Sequence, residues 1–322
     1  MRIGFLSQMN VRHLEWAAQN KFGSIEWIGF ENSPCGPQVK DWKAPAEQFA
    51  AEARKRNIRI SAIGAWYRNA LDPKQTDFAK AALLRAIEVA EHLGIKTVAG
   101  FSGAVIELDT TGWGGHPVYK PFENFMPQFR AFWEPIARKA QDHGIRIAFE
   151  HCATGAYHMP IMGFNFVGKP AMWERVFNEI PRENIGIEWD ASHLMCQFID
   201  PINNIHKFGR RIFHVHAKDA YVNHHLLAEY GICHPGVAEH RMPGLGQADW
   251  SEIVHALLRA GYDSDLNIEG WHDPVYRDHA AEQPADVKSV GIDHQAGQKL
   301  EQDGLIVARR HLERFVPPEP RS

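Results

Sequence analysis

The stretch Arg211–Asp219 reads RIFHVHAKD, alternates apolar and polar residues, and has the pattern of a buried strand. Its polar positions are two histidines, followed by a lysine and an aspartate. Side chains two residues apart share a face of a strand, so His214 and His216 point the same way and Lys218 lies just beyond the strand end. Polar groups are rare in strand interiors unless they serve a purpose. This face is therefore the first candidate for a functional site.

Seven other short runs have a strand-like character, and segments of helical periodicity separate them. Besides Arg211–Ala217, the predicted strands are Arg2–Leu6, Ser24–Gly29, Ile58–Ile63, Ile95–Ala99, Ile145–Glu150, Asn184–Trp189 and Asp265–Glu269. Strict alternation of strands and helices implies parallel strands, and eight such units imply closure into a (β/α)₈ TIM barrel, an α/β fold. The alternative is a doubly wound open sheet. That fold usually has about five or six strands and a glycine-rich first turn, which this sequence lacks.

The composition is that of an ordinary globular protein. The chain has 322 residues, of which 44% are hydrophobic and 23% charged, and one barrel of about 250 residues with insertions would account for it. We predict a single barrel domain over residues 1–315, followed by a disordered, proline-rich tail at 316–322. The formal charge of -4, with basic residues scattered rather than striped, argues against a nucleic-acid partner.

Cysteines and apolar runs bear on the compartment. The four cysteines are far apart and form no CxxC pair, so neither a zinc knuckle nor a disulfide framework is predicted. No apolar run approaches the roughly 18 residues of a membrane span, and the chain begins directly with a strand. We expect a cytoplasmic protein that does not associate with membranes.

Loop lengths predict which end of the barrel carries the site. The joints from helix to strand are short and often hold a glycine, as at Gly23, Gly94, Gly144 and Gly261. The joints from strand to helix are long, and the longest spans residues 219–249. In TIM barrels, active sites form on the loops that follow the strands. The C-terminal face is therefore the predicted functional face.

Groups that ligate metals end four strands in a row. The fifth to eighth predicted strands, which are consecutive around a barrel, end in Glu150, Asp190, His216 and Glu269. Three carboxylates and one imidazole favour Mn²⁺ or Mg²⁺, and Co²⁺, Fe²⁺ or Zn²⁺ would also fit. Any one acid could simply cap a strand or pair with a basic residue. Several ionisable groups crowded at one mouth repel one another unless a cation or shared protons offset them, so together they predict one divalent-metal site.

Further residues near these strand ends are candidates for substrate binding. His193 lies shortly after the sixth strand, and Arg241 opens a loop with a Pro-Gly-x-Gly core; both could hold hydroxyl, carbonyl or phosphate groups. Lys218 either joins this site or pairs with the adjacent Asp219. His116 lies on a long loop. The tryptophans at or just past strand ends, which could stack on a sugar ring, are Trp27, Trp66, Trp113, Trp189 and Trp271.

Together these motifs resemble the xylose-isomerase-like TIM barrels of the sugar phosphate isomerase/epimerase superfamily. The resemblance spans about residues 2–315 and rests on IAFEH at 147–151, DASH at 190–193, HVHAKD at 214–219, the loop 241–250 and IEG at 268–270. By analogy with ketose 3-epimerases, it implies that the four strand-end residues hold the metal. It also implies that Glu150 and Glu269 exchange protons with the substrate carbon on opposite faces, and that His193 and Arg241 bind substrate.

The resemblance implies a reaction class. Members of this superfamily include ketose epimerases, inosose dehydratases, catalytic subunits that cleave oxidised C-glycosides, and an endonuclease for abasic sites, so the fold does not fix the reaction. We predict a divalent-metal-dependent isomerase or epimerase that abstracts a proton next to the carbonyl of a sugar or keto-sugar, through a metal-stabilised enediolate. The alternative is a lyase that eliminates a substituent from a 3-oxo-glycoside, or water from an inosose, through the same intermediate.

Two other classes stay open. A nuclease for damaged DNA would need several zinc ions, more histidine ligands and a basic rim, which the acidic balance disfavours. A non-catalytic sugar-binding subunit would not depend on Glu150. The long loops around Trp113 and Trp271 favour a substrate larger than a free ketose, or an oligomer contact. By analogy with related barrels, we expect a homo-oligomer, and a glycoside lyase could carry a small partner subunit.

Overall fold

The computed structural model describes residues 1–29, 31–105, 107–109, 118–153, 165–232, 234, 236–270, 272–276 and 294–317. The strands are β1 (Ile3–Ser7), β2 (Ser24–Ile28), β3 (Arg59–Trp66), β4 (Thr97–Phe101), β5 (Leu108–Asp109), β6 (Val118–Tyr119), β7 (Arg146–Glu150), β8 (Ile185–Asp190), β9 (Ile212–Ala217), β10 (Asp219–Val222), β11 (Ala238–Arg241) and β12 (Leu266–Ile268). The helices are α1 (Val11–Gln19), α2 (Lys43–Lys55), α3 (Thr76–Leu93), α4 (Met126–Asp142), α5 (Pro170–Glu179), α6 (Ala191–Met195), α7 (Pro201–Phe208), α8 (His224–Tyr230), α9 (Trp250–Arg259) and α10 (His294–Leu312).

Eight of these strands form one closed barrel. Its order is β1-β12-β9-β8-β7-β4-β3-β2, and β2 pairs back with β1. All of these pairs are parallel. The predicted TIM barrel is thereby confirmed, and the open doubly wound sheet is wrong. The register places His216 beside Asp190 on one side and beside Asn267 on the other.

Asp265, just before the last strand, fixes the seam where the barrel closes. Its Oδ1 accepts from the Arg2 N–H at 2.7 Å, and its Oδ2 accepts from Arg59 Nε at 2.6 Å. The Tyr262 hydroxyl donates to the Asp265 carbonyl at 2.7 Å. The Asp265 carboxylate is fully buried. These contacts tie the first, third and last barrel strands together at the N-terminal end.

The long joint after β9 contains its own small unit. Strands β10 and β11 pair antiparallel, with Asp219 opposite Arg241, and α8 lies between them in sequence. The buried Asp219 carboxylate accepts from the N–H groups of Gly244 and Ala248, at 3.0 and 2.9 Å, and from Trp250 Nε1 at 3.1 Å. Asp219 therefore anchors the loop that leads from β11 to α9.

Several predicted tryptophan platforms are core residues. Trp27 and Trp189 are 0% exposed and Trp66 is 5% exposed, so none offers a free ring face to a sugar. Trp189 Nε1 donates to Asn204 at 2.7 Å. The prediction of sugar stacking is wrong for these three residues because large barrels need bulky groups to fill the space between strands and helices.

Most of the predicted glycine joints have the expected geometry. Gly94, Gly144 and Gly261 have φ of +73°, +66° and +80°, the left-handed conformation that ends helices. At Gly23 the prediction is wrong, because Lys21, with φ of +61°, takes this conformation instead. Among the helices that the structure describes, none is both long and apolar enough to cross a bilayer.

Candidate active site

Three carboxylates meet at the C-terminal mouth of the barrel. Glu150 and Asp190 are the last residues of β7 and β8, and Glu269 directly follows β12. They are 4%, 0% and 6% exposed. One carboxylate oxygen from each, together with a ring nitrogen of His193, all lie within 4.8 Å of one another. Carboxylates this close and this buried repel one another unless positive charge balances them.

His216 adds an imidazole to the same mouth from β9. Its Nδ1 lies 3.3 Å from Glu269 Oε2 and 3.6 Å from Glu150 Oε1. Its other ring nitrogen, Nε2, lies 2.8 Å from Glu26 inside the barrel. The structure thus brings His216 beside Glu150 and Glu269. The group that could hold a metal and that includes Asp190 contains His193 in place of His216, whereas His216 forms a second such group with Glu26, Glu188 and His214. His193, which the sequence suggested for substrate binding, lies closer to all three carboxylates than predicted.

Lys218 lies among these carboxylates. Its side chain is 1% exposed, and its Nζ is 2.5 Å from Glu269 Oε2 and 2.9 Å from Asp190 Oδ2. It is also 3.1 Å from His193 Nε2. The predicted alternative, that Lys218 pairs with Asp219, is wrong because Lys218 turns to these acids. We refer below to the mouth cluster, which comprises Glu150, Asp190, His193, His216, Lys218 and Glu269.

Charges within the mouth cluster set its pKa values. Burial opposes ionisation of Glu150, but contacts with His193 and then His216 lower its pKa to about 2. Burial also opposes ionisation of Glu269, and Lys218, followed by His216, lowers its pKa well below the ordinary value. Burial disfavours the Lys218 ammonium, yet the neighbouring carboxylates outweigh this and raise its pKa. Both glutamates are therefore ionised near neutral pH and can accept a proton.

The two oxygens of Asp190 have different roles. Oδ1 accepts from both the backbone N–H and the hydroxyl of Ser192, at 2.7 Å each, and so caps α6. The Asp190 N–H donates to His151 Nε2 at 2.8 Å. Oδ2 faces the cluster, and in the described part of the chain it has an ion-pair contact with Lys218 but no hydrogen bond. Asp190 is thus fixed through one oxygen and presents the other.

His193 is placed between opposite charges. Its Nε2 lies 3.1 Å from Glu150 Oε1 and also 3.1 Å from Lys218 Nζ. One ring nitrogen either donates or accepts, so it can hydrogen-bond to the carboxylate or to the ammonium but not to both at once. The presence or absence of a proton on Nε2 therefore determines whether His193 hydrogen-bonds to Glu150 or to Lys218.

Of the remaining predicted site residues, Arg241 pairs with an acid outside the mouth cluster, and the others lie outside the described residues. Arg241 Nε donates to Asp273 Oδ2 at 3.1 Å. His272, which follows the last barrel strand, is 43% exposed, and its Nε2 is 3.2 Å from Glu269 Oε1. The predicted substrate contacts that fall outside the described residues are Trp113, His116 and Trp271.

Beneath the mouth cluster lies a second polar layer, of which the sequence predicted only His214. This inner layer comprises Glu26, Tyr67, Glu188 and His214, and the two glutamates are 0% exposed. The Tyr67 hydroxyl is 2.5 Å from Glu26 Oε1 and 2.9 Å from Glu188 Oε2. His214 Nδ1 is 2.8 Å from Glu188 Oε1. Burial and then Glu188 raise the pKa of Glu26, whereas His216 outweighs burial and lowers the pKa of Glu188 to about 2.

A signal for part of this layer was present in the sequence. Glu188 is two residues before Asp190 on the same strand and therefore shares its face. Glu26 is the one charged residue in the run Ser24–Ile28, which is otherwise typical of a buried strand. Tyr67 follows β3 in a loop and carries no such signal.

The mouth cluster fits a divalent cation. His216 Nδ1 and Asp190 Oδ2 are buried and lack hydrogen-bond partners among the residues that the structure describes. Three carboxylates and one imidazole form the oxygen-rich donor set that hard and borderline divalent ions prefer. Burial opposes the charged form of His216, but Glu188 and then Glu26 raise its pKa well above the ordinary value. A ligating imidazole must give up its proton, so a cation at Nδ1 would replace positive charge that a proton otherwise supplies.

A separate cavity of about 490 Å³ opens at the opposite, N-terminal end of the barrel. Arg2, Arg59 and Arg146 line it. Arg2 donates to the carbonyls of Gly23 and Asn57, and Arg59 is bound by Asp265. Arg2 and Arg59 are thus engaged in contacts between elements at this end of the barrel.

Comparison of the sequence with known proteins identifies relatives of this chain. A family model described as xylose isomerase-like TIM barrel matches residues 14–290. An inosose dehydratase of Lacticaseibacillus casei is 24% identical over 231 residues, which cover 68% of this chain and 72% of that protein.

Solved structures show the same fold at lower identity. D-psicose 3-epimerase from Clostridium cellulolyticum H10, with D-tagatose, superposes with a TM-score of 0.64 and 15% identity, covering 98% of this chain and 99% of that one. The IOLI protein, with a zinc atom bound, superposes with a TM-score of 0.65 and 17% identity, covering 98% and 99%. The likeness extends over the whole barrel.

Proposed function

Because the chain belongs to the xylose isomerase-like TIM barrel family, we propose that it is a metal-dependent enzyme that isomerises or epimerises a sugar or keto-sugar. The reaction is proton transfer at the carbon next to a carbonyl group. The observation that carries this proposal is the mouth cluster. Its two ionised glutamates, Glu150 and Glu269, belong to a buried group of side chains that could hold a metal ion.

The cluster contains the ligands for a cation. Glu150, Asp190, Glu269 and His216 Nδ1 would hold it, and we propose Mn²⁺ or Mg²⁺ because three of the four ligands are carboxylates. Such an ion, when bound, polarises the substrate carbonyl and offsets the negative charge that develops on its oxygen. The zinc atom in the IOLI structure supports the placement of a metal in a barrel of this shape.

Two carboxylates on different sides of the mouth can act as base and acid. Glu150 ends β7 and Glu269 follows β12, and two strands, β8 and β9, separate them in the barrel. Their lowered pKa values keep both carboxylates ionised, which is the form that a general base must have. One carboxylate would remove the proton from a carbon held between them. If the other first takes a proton from water or a substrate hydroxyl and delivers it to the opposite face, the configuration at that carbon inverts.

Lys218 and His193 would then act on substrate oxygens. The Lys218 ammonium is a strong donor that already lies at hydrogen-bond distance from Glu269, so a substrate hydroxyl or carbonyl entering there could accept from it. His193 Nε2 lies at hydrogen-bond distance from both Glu150 and Lys218. The two residues would orient the substrate so that its acidic carbon faces Glu269.

Elimination of water from an inosose is the second candidate. The likeness to inosose dehydratase favours it. The first step is the same proton removal next to a carbonyl, and the two reactions differ in whether the proton returns or a neighbouring hydroxyl leaves. The mouth cluster would serve both.

Proton exchange in D₂O tests the proposal directly. Protein loaded with Mg²⁺, a diamagnetic ion, is incubated with ketoses, inososes and 3-oxo-glycosides and followed by NMR. We expect deuterium to appear next to the carbonyl of one class, and chelation of the metal to stop the exchange. A new stereoisomer would identify an epimerase, whereas a dehydrated or aglycone product would identify a lyase.

Matched variants test whether the mouth cluster is responsible for the proton exchange. Glu269→Gln should abolish it while the circular dichroism spectrum is preserved. Glu252→Gln changes an exposed glutamate on α9 and should leave exchange unaltered. Exchange that survives both chelation and Glu269→Gln would contradict the proposed function.

A further inference from the structure

We infer that Glu26 is a positioning residue, which fixes the tautomer and orientation of His216 so that Nδ1 is presented to the metal. The inference rests on the proposed function and deepens it, because it assigns part of the metal site to the inner layer. Glu26 lies on β2, three strands away from β9 around the barrel. Its contact with His216 therefore crosses the barrel interior.

The contact leaves one nitrogen of His216 for a metal. A neutral imidazole carries one N–H and one lone pair. His216 Nε2 lies 2.8 Å from Glu26 Oε2, so the contact with Glu26 engages the ring nitrogen that faces the barrel interior. In the metal-bound state that we propose, the remaining ring proton would lie on Nε2, where Glu26 can accept it, and the metal would take the lone pair of Nδ1. That atom faces Glu269 and Glu150 and, within the described residues, has no hydrogen-bond partner.

Glu26 is itself held in place. Its second oxygen, Oε1, accepts from the Tyr67 hydroxyl at 2.5 Å. The side chain is fully buried on β2, so it has little freedom to leave His216. A ligating histidine whose second nitrogen donates to a carboxylate is oriented and made more basic by it.

Glu188 provides a matched comparison within the same layer. It is equally buried and also contacts Tyr67, at 2.9 Å. Its short contact, however, is with His214 Nδ1 at 2.8 Å, whereas His216 Nε2 is 3.3 Å away. Glu188 is therefore the nearer of the two carboxylates to His214. Glu26 is the nearer one to His216, whose ring faces the proposed metal.

Measurements of metal affinity test whether Glu26, rather than Glu188, positions His216. We would measure Zn²⁺ and Mn²⁺ binding by calorimetry for the wild type, Glu26→Leu, Glu26→Gln and Glu188→Leu. Glu26→Leu, which removes the acceptor oxygen, should weaken metal binding about 10- to 100-fold, and Glu188→Leu should weaken it less. Glu26→Gln retains an acceptor oxygen and should recover most of the affinity. Equal losses in Glu26→Leu and Glu188→Leu, or no recovery by Gln, would overturn the inference.

The tautomer can also be read without any variant. In ¹⁵N-histidine spectra of the zinc-loaded wild-type protein, we expect His216 to carry its proton on Nε2 and none on Nδ1. A proton on Nδ1 in the loaded protein would overturn the inference even if Glu26→Leu fails to fold. If the wild type binds no divalent metal, the proposed function fails together with this inference. If it binds metal but Glu26→Leu binds equally well, only this inference fails.

Discussion

At the scale of single residues, the positive charge of Lys218 reduces the repulsion between the buried carboxylates of the mouth cluster. Its ammonium lies within 3 Å of oxygens from both Asp190 and Glu269. The carboxylates sit where water cannot screen them, so the lysine supplies charge that a divalent cation would also supply. The stability of the barrel mouth should therefore depend on both Lys218 and a bound cation.

Replacing Lys218 by methionine should destabilise the metal-free protein strongly. Removal of one partner from a buried ion pair costs about 3–5 kcal/mol, because the other charge is left without compensation. The matched control is Lys207→Met, whose lysine is 59% exposed and paired with Glu174, and which should cost about 1 kcal/mol or less. Urea denaturation with chelator measures both. Added Mn²⁺ should restore part of the loss only in Lys218→Met, and similar small losses in the two variants would contradict this role.

His151 makes stability depend on pH. Burial, and after it His193, lowers the pKa of His151 to about 3. Its Nε2 accepts from the Asp190 N–H at 2.8 Å, and that hydrogen bond is lost when the ring is protonated. The unfolded chain binds this proton near pH 6.5, so stability falls as the pH drops from about 6.5 towards about 3, by up to about 1.4 kcal/mol per pH unit.

Denaturation of His151→Gln at pH 7, 6 and 5, with chelator present, checks this dependence. The glutamine oxygen can still accept from Asp190, and it does not titrate. The variant should therefore lose stability less steeply than the wild type as the pH falls. Parallel curves for the two proteins would show that His151 is not the titrating group.

At the scale of elements, the eight barrel strands could be predicted from the sequence. The strands in the loops, such as β10 and β11, and the contacts inside the barrel could not. Strands such as Ile212–Ala217 bury both faces and carry a local pattern. Helix α8 escaped prediction because none of its residues is buried, so it has no apolar periodicity. The partnership of Glu26 with His216 joins residues 190 positions apart across the barrel, and no local pattern encodes it.

The loop between β11 and α9 should depend on Asp219. Its carboxylate is the common acceptor for Gly244, Ala248 and Trp250. Asp219→Ala leaves these donors without a partner, and we expect a loss of about 3 kcal/mol because each unsatisfied buried group costs about 1–3 kcal/mol. The comparison is Asp249→Ala, which removes only the α9 N-cap contact to Glu252 and should cost about 1 kcal/mol. Denaturant midpoints and limited proteolysis of residues 242–249 measure the difference. Equal losses would mean that the loop is held elsewhere.

At the scale of the whole molecule, the proposed cation site joins four neighbouring strands. Its ligands come from β7, β8, β9 and the residue after β12, which are consecutive in the closed barrel. A ligand that binds only the folded state stabilises it by mass action. The metal site should therefore contribute to the stability of the entire barrel, and not only to catalysis.

Removal of the metal should lower the melting temperature in a way that depends on the ligands and on pH. At a free metal concentration of 100 times Kd, binding adds about 2.7 kcal/mol, which corresponds to several degrees in a protein of this size. The raised pKa of His216 means that metal binding must displace a proton, so the gain in melting temperature should shrink as the pH falls. Calorimetric scans with Mn²⁺ and with chelator, at pH 6, 7 and 8, measure this gain. Glu150→Gln, which removes one ligand oxygen, should reduce it at every pH, whereas Glu252→Gln should not. A gain that is the same in Glu150→Gln and the wild type would place the metal away from the mouth cluster.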